Sequence, residues 1–357
     1  GPASYFQANI IRVYDNMLDQ SFSQEISVSE TSNAAENVLY DVMAKADDEF
    51  SFNHPLGDDH HVYFVEPETN LFDDRKSVLF VRFVEPTDDA TYLEDVCPTS
   101  CEMRERHGWS QMTMIAHKRT WFMAPEVYDF FDKLDVLGFF DDFDQVIFTG
   151  SQACAHAASV FSVAAPGSTV LLFSPVATAD PKQADWDPRL SAEIHADDSP
   201  RYRNPVKLLD AAKEVFVFFD PREKLDAQHA TMFEQKFVTK IRCRLMGKDV
   251  SYGLSQTDSF IRVVEAAGQD TLTAKSFARI YRNRRRDRSY LRRLISATRD
   301  RSTPVITGVA ARAALTKFDA RYFRNALNTA ETELTKLGQS LPNVATRKET
   351  VSENVAA

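Results

Sequence analysis

The chain has 357 residues, 43% hydrophobic and 26% charged, a composition typical of a globular protein with one large domain plus extensions, or two domains. The 52 acidic and 42 basic residues give a net charge of −10, which argues against a general nucleic-acid binder and against DNA as a partner. No run of 18 apolar residues occurs, so we expect no membrane span. Four cysteines without paired spacing favour a reducing, cytoplasmic location.

Residues 1–50 are weakly patterned and are predicted to form an N-terminal extension with one helix, Ala34–Lys45. The polar residues 338–357 are predicted to be a disordered tail. Between these ends, the pattern predicts a core domain over residues 51–254 and a helical, basic extension over residues 255–337.

Short apolar segments predict the strands of the core. The first two, residues 61–65 and 77–83, are separated by a polar turn region, so we expect them to pair antiparallel. Each later segment is followed by a span long enough for a helix, which predicts a mostly parallel sheet with helices on both faces. These later segments are residues 111–115, 145–148, 169–173, 214–219 and 238–243.

Helical periodicity predicts the elements that cover this sheet. The C-terminal extension is predicted to contain two long helical regions, and the first core helix has proline at its start, where proline is favourable. The core helices are predicted at Pro125–Leu137, Ala153–Ala164 and Leu225–Gln235, and the C-terminal regions at Thr271–Leu294 and Ala311–Leu337.

Residues 146–158, VIFTGSQACAHAA, combine a buried strand, a tight turn at Gly150 and a helix of small residues. This segment is similar to the nucleophile elbow of α/β-hydrolases, where the motif G-x-S-x-G places a serine on a sharp strand-to-helix turn. Here the place of the serine holds Gln152, and the place of the second glycine holds Cys154. The segment therefore predicts an α/β-hydrolase-like fold without the usual nucleophile.

Further segments resemble a family of alphaproteobacterial α/β-hydrolase-like proteins, and the resemblance covers roughly residues 50–295 in ungapped blocks. Members of that family often carry an automatic label of phosphoadenosine phosphosulfate reductase. Such a reductase needs a phosphate-cradling loop and a C-terminal redox cysteine motif, and this sequence has neither. The resembling blocks are residues 139–146 (FFDDFDQV), 157–167 (AASVFSVAAPG), 220–229 (DPREKLDAQH) and 281–292 (YRNRRRDRSYLR).

The hydrolase resemblance implies a triad in the chain order Ser, Asp or Glu, His. Gln152 cannot attack an acyl carbon. Ser151 is the adjacent hydroxyl, although the direction of the turn is expected to aim it elsewhere. Cys154 lies in the first turn of the predicted helix, where the helix dipole lowers a thiol pKa, but a small buried residue that packs helix on sheet is the favoured interpretation.

The acid of such a triad follows the strand at 214–219, where Asp220 and Asp226 both qualify, and Asp220 equally suits a plain turn. No histidine follows the last strand. His229, three residues after Asp226, and His156 on the elbow helix are the remaining bases. The candidate catalytic residues are therefore Ser151, Asp226 and His229, and the candidate ligand-binding residues are Gln152, Cys154 and Asp220.

Two segments contain side chains that bind metals. Cys97 and Cys101, with His107 after them, fit the looser range of zinc spacing but lack an evident fourth ligand. Residues 58–61 (DDHH) precede a strand, where a solvated turn is the stronger interpretation. We predict no metal site, and with only 11 glycines and no phosphate loop we expect no cofactor.

The densest positive charge lies on a predicted helix. An ion-paired, solvated helix beside the acidic domain is the default interpretation. The more specific functional interpretation is that this helix binds an acidic or phosphorylated protein partner. The arginines concerned are Arg284, Arg285 and Arg288, with Arg286, Arg292 and Arg293 beside them.

These patterns favour a degenerate hydrolase-fold protein, a pseudoenzyme, that binds a small molecule or an acyl or acidic ligand near Gln152 at the carboxyl ends of the strands. The alternative is a hydrolase or acyltransferase that uses Ser151 or Cys154 with a non-standard base such as His229 or His156. A third possibility, a scaffold component of a larger complex, is suggested by acidic, Phe-rich segments such as residues 139–143.

Overall fold

The computed structural model of the protein describes residues 51–67, 75–85, 103–190 and 204–342, and the predicted helix at 34–45 lies outside them. The apolar segments form one eight-stranded sheet, which begins with a strand that the sequence analysis did not predict, β1. The strands are β1 Ser51–Leu56, β2 His60–Val65, β3 Val78–Val84, β4 Ser110–Ala116, β5 Gln145–Ser151, β6 Thr169–Phe173, β7 Glu214–Phe219 and β8 Val238–Arg242.

The sheet is mostly parallel, with the strand order β1-β2-β4-β3-β5-β6-β7-β8. β2 runs antiparallel to both of its neighbours, and every other pair is parallel. The register sets Arg82 of β3 beside Thr149 of β5, and Ser151 beside Phe173 of β6. With helices on both faces and a strand-to-helix elbow after β5, this is the α/β-hydrolase-like fold predicted from the sequence.

The prediction that the first two apolar segments pair with each other is wrong. β2 pairs with β1 and β4, while β3 pairs in parallel with β4 and β5. β4 therefore lies between the two segments, although it comes later in the chain. Alternating or apolar patterns identify strands, but the crossover connections decide which strands become neighbours.

Helices cover both faces of the sheet, and apolar side chains alternate between two cores. On β5, for example, Phe148 enters the core that contains the helices Pro125–Val136 and Ala153–Phe161, and Ile147 enters the core on the opposite face. None of the helices in the described ranges is long and apolar enough to cross a membrane. The helices of this part of the chain are α1 Pro125–Val136, α2 Ala153–Phe161, α3 Pro205–Leu208, α4 Lys224–Thr231, α5 Val250–Ser255, α6 Ser259–Gly268 and α7 Ala274–Ile280.

Phenylalanine rings fill the core on the α1–α2 face. The Phe161 ring stacks on Phe131 with centroids 4.3 Å apart and on Phe83 at 5.6 Å. In the acidic segment 139–143, the phenylalanine rings are buried while the aspartates are exposed. The abundance of phenylalanine thus serves the sheet–helix interface.

The chain divides into two compact units at Asn283 and Arg284, and the second unit is helical. The predicted helical region over 271–294 is divided into separate helices, because Asp287 accepts hydrogen bonds from the backbone N–H groups of Ser289 and Tyr290 and so starts a new helix. The predicted helix over 311–337 is likewise interrupted by residues 316–320. The helices of this unit are α8 Arg288–Arg299, α9 Pro304–Leu315 and α10 Arg321–Lys336.

Replacing Phe161 by Ala is expected to destabilise the protein by about 3–5 kcal/mol, because the change removes a buried ring and leaves a cavity beside Phe131. Urea unfolding followed by circular dichroism measures the loss. Val136→Ala, at a side chain that is 84% exposed, is the control and should change stability by no more than about 0.5 kcal/mol. Equal midpoints for the two variants would contradict the stacked core.

Candidate functional site

The elbow after β5 keeps the backbone of a nucleophile turn. Gln152 has φ 54° and ψ −117°, a conformation that costs a non-glycine residue about 1–3 kcal/mol. The turn is so tight that a Cβ on Gly150 would lie 2.1 Å from the carbonyl oxygen of Cys154, so glycine is required there. The residue at the tip of the elbow is therefore Gln152, and it carries a partly exposed carboxamide instead of a hydroxyl.

Strained backbone is concentrated along the same edge of the sheet. In the loop after β4, both Trp121 and Phe122 adopt left-handed conformations with φ of 58° and 57°. Ser174 after β6 and Leu245 after β8 also have positive φ. Because such conformations persist only where the surrounding structure enforces them, and they cluster at functional sites, they mark the carboxyl ends of the strands as the candidate site.

Ser151 is directed away from the tip of the elbow. Its Oγ donates a hydrogen bond to Oδ1 of Asp249 at 3.2 Å. Asp249 lies in the loop after β8, and the same oxygen caps α5 by accepting the backbone N–H of Tyr252 at 3.0 Å. The place where an α/β-hydrolase carries its histidine thus holds a carboxylate that already serves as a helix cap.

His229 is fully buried in a polar network. Its Nδ1 accepts the backbone N–H of Ala177 at 3.2 Å, so the ring proton is assigned to Nε2, which donates to Oδ2 of Asp187 at 2.8 Å. Burial lowers the pKa of His229, although the Asp187 carboxylate opposes that shift. Both nitrogens of this imidazole are committed to structural contacts.

Asp226 joins the same network through Arg189, which donates to Asp226 at 2.8 Å and to Asp187. Burial raises the pKa of Asp226 to about 6, with the Arg189 guanidinium opposing the shift. Asp226 and His229 are therefore connected, but Ser151 has a different partner. Within the part of the chain that the structure describes, these three residues do not form one hydrogen-bonded triad.

Asp220 connects the ends of two strands. Its Oδ1 accepts the backbone N–H of Arg222 at 3.0 Å, and its Oδ2 accepts that of Gly247 at 2.8 Å. The carboxylate thereby ties the end of β7 to the loop after β8. Because the sequence already allowed a plain turn at this aspartate, these contacts fit the simpler of its two interpretations.

Cys154 and His156 are both buried on α2. The expected lowering of the thiol pKa by the helix dipole does not occur, because burial raises the pKa of Cys154 and the nearby Glu85 carboxylate adds to the rise. A protonated thiol is a poor nucleophile. Burial also lowers the pKa of His156 to about 4, which keeps this imidazole neutral.

Two polar residues beside the elbow were missed by the sequence analysis, Glu85 directly after β3 and Trp121 after β4. The Trp121 ring packs edge-on against His156 at 5.5 Å. Among the described residues, Oε2 of Glu85, Nε1 of Trp121 and Nδ1 of His156 are buried without a hydrogen-bond partner. Glu85 had a sequence signal, since hydrolases of this fold place an oxyanion-hole donor after β3. Trp121 had none, because the turn that positions it needs two left-handed aromatic residues.

Glu85 places a carboxyl group in the loop where α/β-hydrolases use a backbone N–H to stabilise the oxyanion. The side chain is buried, and burial raises its pKa to about 7 even though Nε of Arg119 lies 3.6 Å from its Oε1. An ionised carboxylate destabilises a developing oxyanion, which hydrolases stabilise with hydrogen-bond donors. This environment suits a ligand that donates a hydrogen bond to Glu85.

The histidines considered as metal ligands have other partners, and the cysteines lie outside the described residues. Cys97 and Cys101 lie outside the described residues, and His107 contacts Oε1 of Glu265 at 2.9 Å. In the 58–61 segment, His61 contacts the ring of His117. In the described ranges, no group of three or more His, Cys, Asp or Glu residues is arranged to hold a metal ion.

No protein-family model matches the chain, and no curated protein matches it. Solved structures that are similar to it include an S-formylglutathione hydrolase from Agrobacterium tumefaciens (TM-score 0.42, 14% identity, 61% of this chain and 94% of that chain). Others are a Pyrobaculum calidifontis esterase (0.41, 12%, 74% and 98%) and a bacterial heroin esterase (0.40, 14%, 70% and 91%). Similarity at this level carries no conclusion about activity, and the fold assignment stands on the strand order and the elbow.

The buried His229 predicts acid sensitivity. Because its folded pKa is lowered, the unfolded chain takes up the proton first as pH falls below about 6.5, so this contribution to stability is complete above that pH and declines below it. We expect the loss of stability between pH 7.5 and 5.5 to be smaller in His229→Gln than in the wild type. Urea midpoints at both pH values test this, and an equal pH dependence in the two proteins would contradict it.

Proposed function

We propose that this protein is a pseudoenzyme of α/β-hydrolase fold, which binds a small molecule at the elbow and does not hydrolyse it by serine chemistry. The observation that carries the proposal is Gln152 in the strained conformation of a nucleophile. A carboxamide in that place cannot form an acyl intermediate, but it offers both a donor and an acceptor to a ligand.

The electrostatics around the elbow support binding over hydrolysis. A serine nucleophile needs a base within hydrogen-bond reach, and the nitrogens of His229 are held by Ala177 and Asp187. The thiol of Cys154 is kept protonated. Glu85 stands where oxyanion stabilisation would need a donor.

Two buried polar groups without a hydrogen-bond partner indicate which hydrogen-bonding groups the proposed ligand carries. Trp121 Nε1 needs an acceptor, whereas Oε2 of Glu85 accepts a hydrogen bond when the carboxylate is ionised. A neutral ligand with amide or hydroxyl groups supplies both, while a carboxylate would face the charge of Glu85. Of the ligand classes considered from the sequence, a neutral acyl compound such as an amide fits better than an acid.

A hydrolase or acyltransferase is the second candidate, and the hydrogen bond between Ser151 and Asp249 is the observation that favours it. In that case Asp249 acts as an unusual carboxylate base for Ser151. The competing demand on Asp249 is its role as the cap of α5. Labelling of the serine separates the two functions directly.

We further propose a family, a cellular location and a protein partner for this chain. The sequence blocks support membership of the alphaproteobacterial hydrolase-like family. The buried free thiols of Cys154 and Cys243 are compatible with a cytoplasmic location. An acidic or phosphorylated protein is proposed as the partner of the segment with Arg284, Arg285 and Arg288.

A fluorophosphonate probe should leave the protein unlabelled, as judged by intact mass, because the serine at the elbow, Ser151, is bonded to Asp249 and not to an imidazole. Gln152→Ser should remain unlabelled as well, since the variant gains a hydroxyl but no histidine base. Ser151→Ala and Cys154→Ala are the controls. Stoichiometric labelling of the wild type that disappears in Ser151→Ala would show that Ser151 is an activated nucleophile. This result would overturn the proposal that the protein is a pseudoenzyme.

Ligand retention tests the binding site itself. The wild type, incubated with a small-molecule extract and separated by gel filtration, should retain a compound detectable by mass spectrometry. Trp121→Phe keeps an aromatic ring but removes the indole N–H and the second ring, so it should weaken retention by at least about fivefold, the effect of one hydrogen bond worth about 1 kcal/mol. Trp109→Phe, which changes an indole on the other face of the sheet, should not. Equal retention by both variants would place the ligand elsewhere.

A further inference from the structure

The second compact unit is strongly basic, in contrast to the rest of the chain. Residues 284–357 contain 15 Lys and Arg but seven Asp and Glu, a net charge of +8. Since the whole chain has a net charge of −10, residues 1–283 carry −18. The charge is therefore segregated between the units.

Four arginines and one lysine form an exposed surface of this unit. Arg288, Arg292 and Arg299 follow one another at spacings of four and seven residues on α8, which places them on one side of the helix. Arg285 precedes them in the adjoining turn, and Nζ of Lys317 donates to the Arg285 carbonyl at 2.9 Å. These five residues are called the basic face.

The side chains of the basic face are not neutralised by carboxylates. Elsewhere in the unit, Arg293 faces Asp287 at 3.8 Å and Arg324 pairs with Asp319. No residue of the basic face has an ion-pair partner in the part of the chain that the structure describes. Within the described residues these five cations thus lack a neutralising carboxylate, and their mutual repulsion favours an anionic ligand.

Local contacts hold the face in position. Asp287 caps α8 through the N–H groups of Ser289 and Tyr290. The Arg292 guanidinium lies over the Tyr322 ring, 5.0 Å from its centroid, which limits the motion of that side chain. An arginine that is already ordered loses less entropy when it binds an anion.

We propose that the basic face binds the phosphoryl groups of a phosphorylated protein segment. Four of its five residues are arginines, whose planar guanidinium binds phosphate oxygens in pairs. Arg288 and Arg292 are one helical turn apart, about 6 Å, which suits two phosphoryl groups a few residues apart in a peptide. The net charge of −10 on the whole chain opposes long polyanions such as nucleic acid or an anionic membrane, and favours a compact partner.

The inference extends the partner proposal for Arg284, Arg285 and Arg288 and is independent of the elbow ligand. The probe is a fluorescent peptide with two phosphoserines four residues apart, measured by anisotropy with the full chain at 50 and 200 mM salt. Its unphosphorylated form and a 20-nucleotide RNA are the comparison ligands. We expect the phosphopeptide to bind at least about tenfold more tightly than either, and its binding to weaken with salt.

Variants locate the binding. Arg285→Gln with Arg288→Gln and Arg292→Gln should weaken the phosphopeptide at least about tenfold. The control removes three exposed cations of the other unit, Lys236→Gln with Lys240→Gln and Arg242→Gln, and should stay within about twofold. Thermal melting verifies that both variants are folded.

A second variant separates recognition from simple charge. Arg288→Lys with Arg292→Lys keeps the charge but loses the paired donors, so it should weaken the phosphopeptide several-fold. Wild-type binding in this variant overturns phosphoryl recognition by the guanidinium groups. Three results would overturn the proposal: equal losses in the two triple variants, tighter binding of RNA than of the phosphopeptide, or no phosphopeptide binding at a protein concentration of about 200 µM, which detects weak contacts. None of these results bears on the elbow site.

Discussion

The close approach of α2 to the end of β5 is the constraint on which the site depends. Gly150 leaves room for the carbonyl of Cys154, and this approach forces the next turn residue, Gln152, into a strained conformation. The Gln152 N–H donates to Phe173 and its carbonyl accepts from Val176, so both sides of the turn are bonded to β6 and the loop after it. Gln152, whose backbone conformation costs about 1–3 kcal/mol, therefore lies at the centre of the carboxyl edge of the sheet.

The groups around the elbow differ from those of a hydrolase in a consistent direction. A hydrolase raises positive potential where an oxyanion forms and holds a neutral histidine beside a hydroxyl. In this protein Glu85 follows β3 and the carboxylate of Asp249 follows β8. The imidazole of His229 bonds to Asp187 instead. The elbow backbone and the aspartate after β7 are kept, but the nucleophile position holds Gln152 and no histidine follows β8 in the sequence, which supports the proposed recognition role.

Sequence patterns predicted the parts of the fold that depend on local order. Continuous apolar segments gave the parallel strands, and the glycine before a run of small residues gave the elbow. Strand neighbours were mispredicted because β4 enters between β2 and β3 through a crossover that no local pattern encodes. The break at Asp287 had a local signal, since aspartate is a favoured helix cap. The prediction of one basic helical region over 271–294 did not use this signal.

The candidate site was less predictable, because its contacts join residues far apart in sequence. Asp187 and His229 are 42 positions apart, and Ser151 and Asp249 are 98 apart. The spacing of Asp226 and His229 on one helix indicated an acid–base pair, but both side chains are directed to the Asp187 and Arg189 segment. A triad is a three-dimensional arrangement, so the order of residue types along the chain can only propose it.

Charge is segregated along the chain, with +8 on residues 284–357 and −18 on residues 1–283. The proposed anionic partner is attracted by the cations of residues 284–357, whereas the acidic stretch 1–283 offers no such attraction. At the elbow, a buried Glu85 with a pKa of about 7 acts in the opposite sense, because it disfavours anions over the upper physiological range. The two proposed sites therefore select chemically different ligands, one neutral and one phosphorylated, and occupation of one need not compete with the other.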